Sequence, residues 1–144
     1  GTATNVVADQ AHARVGYRIT DLREIEKIEE KIHYLINNPK VEGIQVDVSG
    51  GLGRPPMKPS IQTLKLCEVV EKIGKVIGID IQWTSTGGGS DANLTAALGV
   101  PSIDGLGPVG SGGHSISEYI DLDSVEPRMR LVRELIIEII ERSF

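Results

Sequence analysis

The sequence predicts an α/β fold, because segments with the period of an amphipathic helix alternate with short apolar segments typical of strands. The 144 residues can form one ordinary domain or two small ones. Hydrophobic residues make up 40% of the chain and aromatic residues only 3%, so the core must consist of Ile, Val, Leu and Ala. These observations predict helices that cover a sheet of small apolar side chains.

Composition also limits the classes of partner that this chain can bind. The formal net charge is −5 and no basic stripe is present, which argues against a nucleic-acid partner. No apolar run approaches the roughly 18 residues that a membrane-spanning helix needs. We therefore expect a cytoplasmic protein without a membrane or nucleic-acid partner.

The first third of the chain reads as strand, helix, strand. Apolar and polar residues alternate over Asn5–Arg18, which predicts a long strand. Thr20-Asp21 then supplies a helix N-cap, with Glu24 placed to complete a capping box. The helix that follows carries a stripe of Leu and Ile. A second alternating segment, Val41–Ser49, predicts another strand, so this part is half of a small α+β layer.

After the break at Gly50–Pro56 the chain alternates between helices and strands again. We place a boundary here, with one unit at residues 1–56 and a second at 57–144. The elements predicted for the second unit are helix Ile61–Ile77 ended by Gly78, strand Ile79–Thr84, short helix Asp91–Leu98, strand Ser102–Leu106, and helix Val125–Arg142 capped by Ser124. The predicted apolar stripes of the two long helices are Ile61, Leu64, Cys67, Val70, Ile73 and Ile77, and Met129, Val132, Leu135, Ile136, Ile139 and Ile140.

The segment Gly87–Ile120 is the strongest candidate for a functional site. It contains nine of the 17 glycines and one of the three histidines, His114. A loop histidine near the end of an α/β strand is either a structural residue or a metal ligand. Zinc needs three or four donors, and the sequence has no HxH, HExxH or Cys/His cluster. Glu118 is a second ligand, an acid, or a residue that orients the loop.

Three other features each have two interpretations, one chemical and one structural. The turn Gly87–Asp91 follows a strand and begins a helix, so it either cradles an anion on its N–H groups or is a tight turn. Arg18 and Arg54 are each surface charges or bidentate partners of a carboxylate. The single cysteine, Cys67, falls on an apolar helix face, where a buried inert thiol is favoured over a nucleophile.

Several motifs together resemble one known family. The segments TGGGSDAN and ALGVPSIDGLGPVGSGGHSISEYIDLDSVEPR resemble the C-terminal part of the di-zinc exopeptidases and deacylases. The earlier TATNVVADQAHARVGYR and GRPP resemble the lid, or dimerisation, domain of the same family. That family includes glutamate carboxypeptidase, acetylornithine deacetylase and succinyl-diaminopimelate desuccinylase. The nearest likeness is to glutamate carboxypeptidase, and it covers nearly the whole chain.

The resemblance implies roles for particular residues. In this family the catalytic domain binds two zinc ions, and the lid closes over the substrate. His114 matches the final zinc-binding histidine, and it is the only zinc ligand that this chain matches. Arg18 matches the lid arginine that grips the substrate's carboxylate. The residues implied to hold the substrate or to line its pocket are Asn5, Arg18, Arg54, Gly89 and Ser90.

The resemblance also implies that the chain is a C-terminal fragment. The family's other zinc ligands and its general-base glutamate would lie upstream of Gly1. Residues 1–56 would then be a partial α+β (ferredoxin-like) lid, and residues 57–144 the C-terminal α/β part of the catalytic domain. The whole enzyme would hydrolyse a terminal amide bond in a small peptide or an N-acyl amino acid with a free carboxylate. We expect the fragment to be inactive alone, and to form a homo-oligomer or bind the missing part. The alternative is a non-catalytic dimerisation module derived from the same lid.

Overall fold

The computed structural model describes residues 1 and 3–142, and helices form most of its regular structure. The helices predicted from the sequence are confirmed, with ends that differ from the predictions by at most a residue or two. The elements in chain order are α1 (Arg23–Asn37), α2 (Ile61–Ile77), α3 (Ala92–Ala97), β1 (Gly110–Ser111), β2 (Tyr119–Ile120), a 3-10 turn (Leu122–Ser124) and α4 (Val125–Arg142).

The buried core lies between α2 and α4. Among the described residues, four apolar side chains are buried there, namely Leu66 and Val70 of α2, and Leu131 and Leu135 of α4. Val70 and Leu131 have no exposed surface at all. Partly buried apolar residues pack around this cluster: Val69, Ile73, Ile77, Ile79, Ile81, Ile103, Leu106 and Ile139. Ile79, Ile81, Ile103 and Leu106 come from segments outside the helices.

The chain turns back onto α2 at the C-terminus of this helix. Gly78 has φ +80°, a left-handed conformation that glycine adopts without steric cost. The N–H groups of Gly78 and Ile79 both donate to the carbonyl oxygen of Gly74. A Cβ on Gly74 would lie 2.8 Å from the Ile79 carbonyl oxygen and 2.8 Å from Ile81 Cγ1. Glycine at position 74 thus lets the segment after the helix lie directly against it.

The predicted strands are wrong for this structure. Within residues 1 and 3–142 the one strand ladder is the antiparallel pair β1–β2, which joins Gly110 to Ile120 and Ser111 to Tyr119. The segments predicted as strands that join no ladder are Asn5–Arg18, Val41–Ser49, Ile79–Thr84 and Ser102–Leu106.

These segments form no strand because, among the described residues, no neighbouring strand pairs with them. An alternating pattern marks a segment that suits a sheet, but the strand forms only when another strand accepts its hydrogen bonds. In a ferredoxin-like layer the two strands of a βαβ unit are split by a third strand, so residues 5–18 and 41–49 would not pair with each other. The ferredoxin-like lid is not confirmed, and the domain boundary at residues 56/57 stays a prediction.

The predicted cap of α1 forms only in part: the residue just before the helix is Leu22, which makes no side-chain cap bond, and the contacts come from Asp21 and Glu24. The Glu24 carboxylate (Oε2) accepts the backbone N–H groups of Thr20 and Asp21, at 3.2 and 3.4 Å. Asp21 Oδ1 in turn accepts the backbone N–H of Arg23 at 3.0 Å. These bonds satisfy N–H groups that the first turn of a helix leaves without an intrahelical partner.

The apolar face of α1 has no partner element among the described helices and strands. None of its residues is buried, and Leu35 is 53% exposed. Apolar side chains outside the helices are exposed as well, including Val7 at 92% and Val15 at 83%. This part of the chain therefore exposes apolar surface. None of the described helices combines the length and apolarity needed to cross a membrane.

Candidate substrate groove and histidine hairpin

A broad, open groove of about 1390 Å³ runs between three parts of the chain. Its walls are residues 17–20, residues 54–59 and the segment 81–90, and residues of α2 and of the segment 102–106 also line it. Four of the five residues predicted to bind substrate line this groove: Arg18, Arg54, Gly89 and Ser90. The structure thus brings together residues that are up to 72 positions apart in the sequence (90 − 18).

Arg54 is bound to the far side of the glycine loop. Its Nη2 atom lies 2.7 Å from Asp91 Oδ1, and the amide of Asn93 donates to the carbonyl oxygen of Pro55 at 2.7 Å. A Cβ on Gly89 would lie 3.3 Å from Arg54 Cδ, so a larger residue there would push against the arginine stem. The Asp91 carboxylate offsets the charge of Arg54, so in this structure Arg54 is part of the groove wall and its charge is already paired.

The glycine loop satisfies several of its own N–H groups. Gly88 donates to Thr86 Oγ1 at 3.0 Å, and Ser90 donates to Asn93 Oδ1 at 2.9 Å. Ala92 donates to Ser90 Oγ at 3.2 Å. N–H groups that already have partners do not offer a cradle to an anion. The geometry therefore favours the tight-turn interpretation of this segment over the anion-binding one.

Arg18 lies against the same loop but has no bonding partner in the described part of the chain. A Cβ on Gly87 would lie 3.6 Å from Arg18 Cδ, so the arginine stem packs on bare backbone. The guanidinium makes no hydrogen bond or ion pair with a described residue. Its donors face an exposed groove and can bind an anion that carries two oxygen acceptors.

The groove also holds the only tryptophan. Trp83 is 40% exposed, and its indole N–H donates to Glu71 Oε1 at 2.8 Å. Cys67 lines the groove from α2, and its pKa is raised by burial first and by the nearby Glu71 carboxylate second. A raised pKa keeps the thiol protonated, which supports its interpretation as an inert packing residue.

His114 lies elsewhere, in the hairpin that joins β1 to β2. Its φ is +66°, an uncommon value for a residue other than glycine. Its backbone N–H donates to Glu118 Oε2 at 3.3 Å, so Glu118 orients the loop. Gly112, with φ +74°, lies so close to the returning strand that a Cβ would lie 2.8 Å from the Ser117 carbonyl oxygen. The sequence predicted an irregular loop here, and the structure forms a hairpin.

The structure does not bring the remaining predicted site residues into the groove. Asn5 is exposed in a turn near the start of the chain, and neither Asn5 nor His114 is among the groove residues. Within the described residues no three His, Cys, Asp or Glu side chains come together in a group that could hold a metal ion. The donors present therefore do not fit a catalytic zinc site by themselves.

Sequence reasoning did not find the residues that hold the groove walls together. Asp91 pairs with Arg54, 37 positions earlier, and Asn93 donates to the carbonyl oxygen of Pro55, 38 positions earlier. Lys58 likewise donates to Asp21, 37 positions earlier. No local pattern marks such pairs. Ser124 also differs from its predicted role, because its hydroxyl accepts the Val109 N–H at 2.8 Å instead of capping α4.

Comparison with known proteins identifies relatives over most of the chain. A succinyl-diaminopimelate desuccinylase from Acidovorax ebreus (strain TPSY) is 26% identical over 131 residues, covering 91% of this chain and 32% of that protein. The same enzyme from Paraburkholderia xenovorans (strain LB400) is 24% identical, covering 96% and 35%. Carboxypeptidase G2 from Pseudomonas sp. (strain RS-16) is 25% identical, covering 96% and 34%. No solved structure shows significant similarity.

The chain spans about a third of the length of the curated relatives it matches. The family model for peptidase family M20/M25/M40 matches residues 3–138, which is nearly the whole chain. The resemblance seen in the glycine-rich and histidine motifs is thereby confirmed at the level of the family. On this match, the chain belongs to peptidase family M20/M25/M40.

Proposed function

We propose that this chain supplies the carboxylate-binding side of the active site of a zinc-dependent amidohydrolase. In this proposal Arg18 binds the free carboxylate of a small peptide or an N-acyl amino acid. The proposal is supported mainly by the position of Arg18. Its aliphatic stem packs on Gly87 in the groove, and its guanidinium has no partner among the described residues. The names of two relatives, a desuccinylase and a carboxypeptidase, agree with such a substrate.

The chemistry of the arginine fork sets the size of the expected effect. A guanidinium binds a carboxylate through two parallel N–H···O bonds, and a hydrogen bond to a charged group contributes about 1.5–3 kcal/mol. That range corresponds to about a 10- to 100-fold change in affinity. Gly87 contributes by having no side chain, because a larger residue would take space beside the arginine stem.

The metal is the part of the site that this chain does not complete. Enzymes of the family are metal-dependent, typically on zinc, and His114 is the residue that matches one of their ligands. A catalytic zinc needs three protein ligands, and the described residues do not group three donors. We therefore propose that the chain by itself does not hydrolyse amides. Zinc-dependent release of alanine from N-acetyl-L-alanine by the purified chain would contradict this.

Binding can be measured through the single tryptophan, because Trp83 lines the groove. The ligand pair is N-acetyl-L-alanine and N-acetyl-L-alaninamide, which differ only in the carboxylate. We expect the acid to change the fluorescence of Trp83 with an affinity about 10- to 100-fold above that of the amide. Arg18→Ala should abolish this difference, and Arg18→Lys should keep part of it.

Two further arginines serve as controls. Arg14 is exposed and lies outside the groove, so Arg14→Ala should bind the acid like the wild type. Arg128 of α4 also lines the groove, together with the carboxylates Glu68 and Asp104. If Arg128→Ala removes the preference for the acid while Arg18→Ala does not, the assignment of Arg18 is wrong.

The second candidate function is a non-catalytic dimerisation module. One observation favours it, namely the exposed apolar face of α1 and the exposed valines before it. Sedimentation equilibrium distinguishes the two functions when it is combined with the titration. A stable dimer with no preference for the acid over the amide supports the module, whereas that preference supports the substrate site whatever the oligomeric state.

A further inference from the structure

The segment Arg54–Pro59, which we call the proline strap, is bound at both of its ends. At the first end Arg54 pairs with Asp91, and the carbonyl oxygen of Pro55 accepts the Asn93 amide. At the second end Lys58 Nζ lies 2.6 Å from Asp21 Oδ2. The strap therefore connects the glycine loop, on one wall of the groove, to the residues just before α1, on another.

Asp21 is the junction at the second end. Its side chain is only 20% exposed, and its Oδ2 atom binds two cations, with Arg23 Nη2 and Lys58 Nζ each 2.6 Å away. It also accepts the backbone N–H of Arg23, which fixes its position at the start of α1. Asp21 lies three residues after Arg18, so its bond to Lys58 of the strap also limits where the Arg18 backbone can lie relative to the strap.

The composition of the strap makes it a stiff connection. Proline fixes φ near −65° and restricts the residue before it, and the six residues of the strap include Pro55, Pro56 and Pro59. Proline-rich segments behave as semi-rigid spacers. A stiff spacer with bonded ends keeps the two groove walls at a set separation, whereas the same spacer with one end free does not.

We propose that Asp21 is a positioning residue for carboxylate binding: by holding Lys58, it sets the distance between Arg18 and the glycine-loop wall. This inference rests on the proposed function of Arg18. Asp21 itself does not touch the ligand. Its pairing with Lys58 reduces the range of positions that Arg18 samples, so more of the population has the guanidinium where the carboxylate binds.

The affinity test uses variants that remove charge and keep shape. Asp21→Asn keeps a side-chain oxygen that can accept the Arg23 N–H, and Lys58→Met keeps the aliphatic stem. We expect each to weaken binding of N-acetyl-L-alanine by about two- to fivefold, the range that one exposed ion pair supplies. The double variant should be no weaker than either single one, because both remove the same interaction. Arg23→Met, which removes the other cation on Asp21, should bind like the wild type.

A distance measurement tests the inference without any ligand. Gly16 lies two residues before Arg18, and Gly53 lies directly before Arg54. A Cβ at either glycine would have no atom within 4 Å, so both accept a spin-labelled cysteine, in a Cys67→Ser background. We expect a narrow distribution of label-to-label distances, which broadens in Asp21→Asn and in Lys58→Met but not in Arg23→Met. Unchanged distances and unchanged affinity in both variants would overturn the inference. If the wild type does not prefer the acid, the proposed function fails, and the distances still decide whether Asp21 positions the wall.

Discussion

Replacing Gly74 by alanine tests how α2 holds the segment that leads into the groove. A Cβ at this position would lie 2.8 Å from the carbonyl oxygen of Ile79 and 2.8 Å from Ile81 Cγ1. One of these atoms belongs to the backbone and the other to the branched part of a packed side chain, so neither can move alone. The substitution therefore forces the segment 79–81 away from the helix, and Trp83 with it.

The expected magnitude is a balance of two effects. Overpacking a tight site costs about 1–3 kcal/mol. Alanine in place of glycine inside a helix contributes about 1 kcal/mol in the opposite direction. The net expectation for Gly74→Ala is a loss of about 1 kcal/mol in the free energy of unfolding. Urea unfolding followed by circular dichroism measures this as a lower midpoint with an unchanged slope.

Val76 offers a matched control in the same helix. It is 84% exposed, so Val76→Ala introduces alanine where nothing needs to move. Higher helix propensity should raise the free energy of unfolding by up to about 0.5 kcal/mol. If Gly74→Ala is as stable as Val76→Ala, the close contact between α2 and residues 79–81 does not exist in solution.

Three further predictions test the core, the junction and the thiol. Leu131→Ala should cost about 2–5 kcal/mol in urea unfolding, because Leu131 is fully buried, whereas Met129→Ala at a 68% exposed site should stay within about 0.5 kcal/mol of wild type. Hydrogen bonds from Arg23 and Lys58 lower the pKa of Asp21. The contribution of the Asp21 carboxylate to stability is therefore present above about pH 4 and is lost as the pH falls below that. Between pH 5 and 3 the urea midpoint should thus fall more for the wild type than for Asp21→Asn. Equal falls would show that the pKa of Asp21 is not lowered by these bonds. Iodoacetamide should alkylate Cys67 at pH 8 more slowly than it alkylates free cysteine, and an equal or faster rate would show that burial does not raise its pKa.

Local signals in the sequence predicted the helices well. Ser60 caps α2 by accepting the Thr63 N–H, and Gly78 ends the same helix in a left-handed conformation. These contacts lie within a few residues, so the sequence contains all that they require. The buried face of α4 was harder to predict, because Leu131 is buried whereas Met129, which belongs to the predicted stripe, is exposed. Which apolar side faces the core depends on where the partner helix lies.

The strands and the site depend on distant parts of the chain. An alternating segment such as Val41–Ser49 needs a neighbouring strand, and periodicity says nothing about where that strand is. Likewise, the contact of Arg54 with Asp91 joins positions 37 apart without any local pattern. The grouping of Arg18 with Gly89 and Ser90 was predicted only through the family resemblance. The resemblance also placed His114 and Asn5 at the same site, but in this structure neither lines the groove.

The proposal depends most directly on where a carboxylate binds. Two-dimensional ¹⁵N NMR of the wild-type chain, titrated with N-acetyl-L-alanine, reports this residue by residue. We predict that the largest shift changes occur at the side-chain Nε–H of Arg18 and at the backbone amides of Gly87–Gly89, and that N-acetyl-L-alaninamide leaves these signals nearly unchanged. Shift changes that cluster at the His114 hairpin or along α4, with Arg18 unaffected, would contradict it.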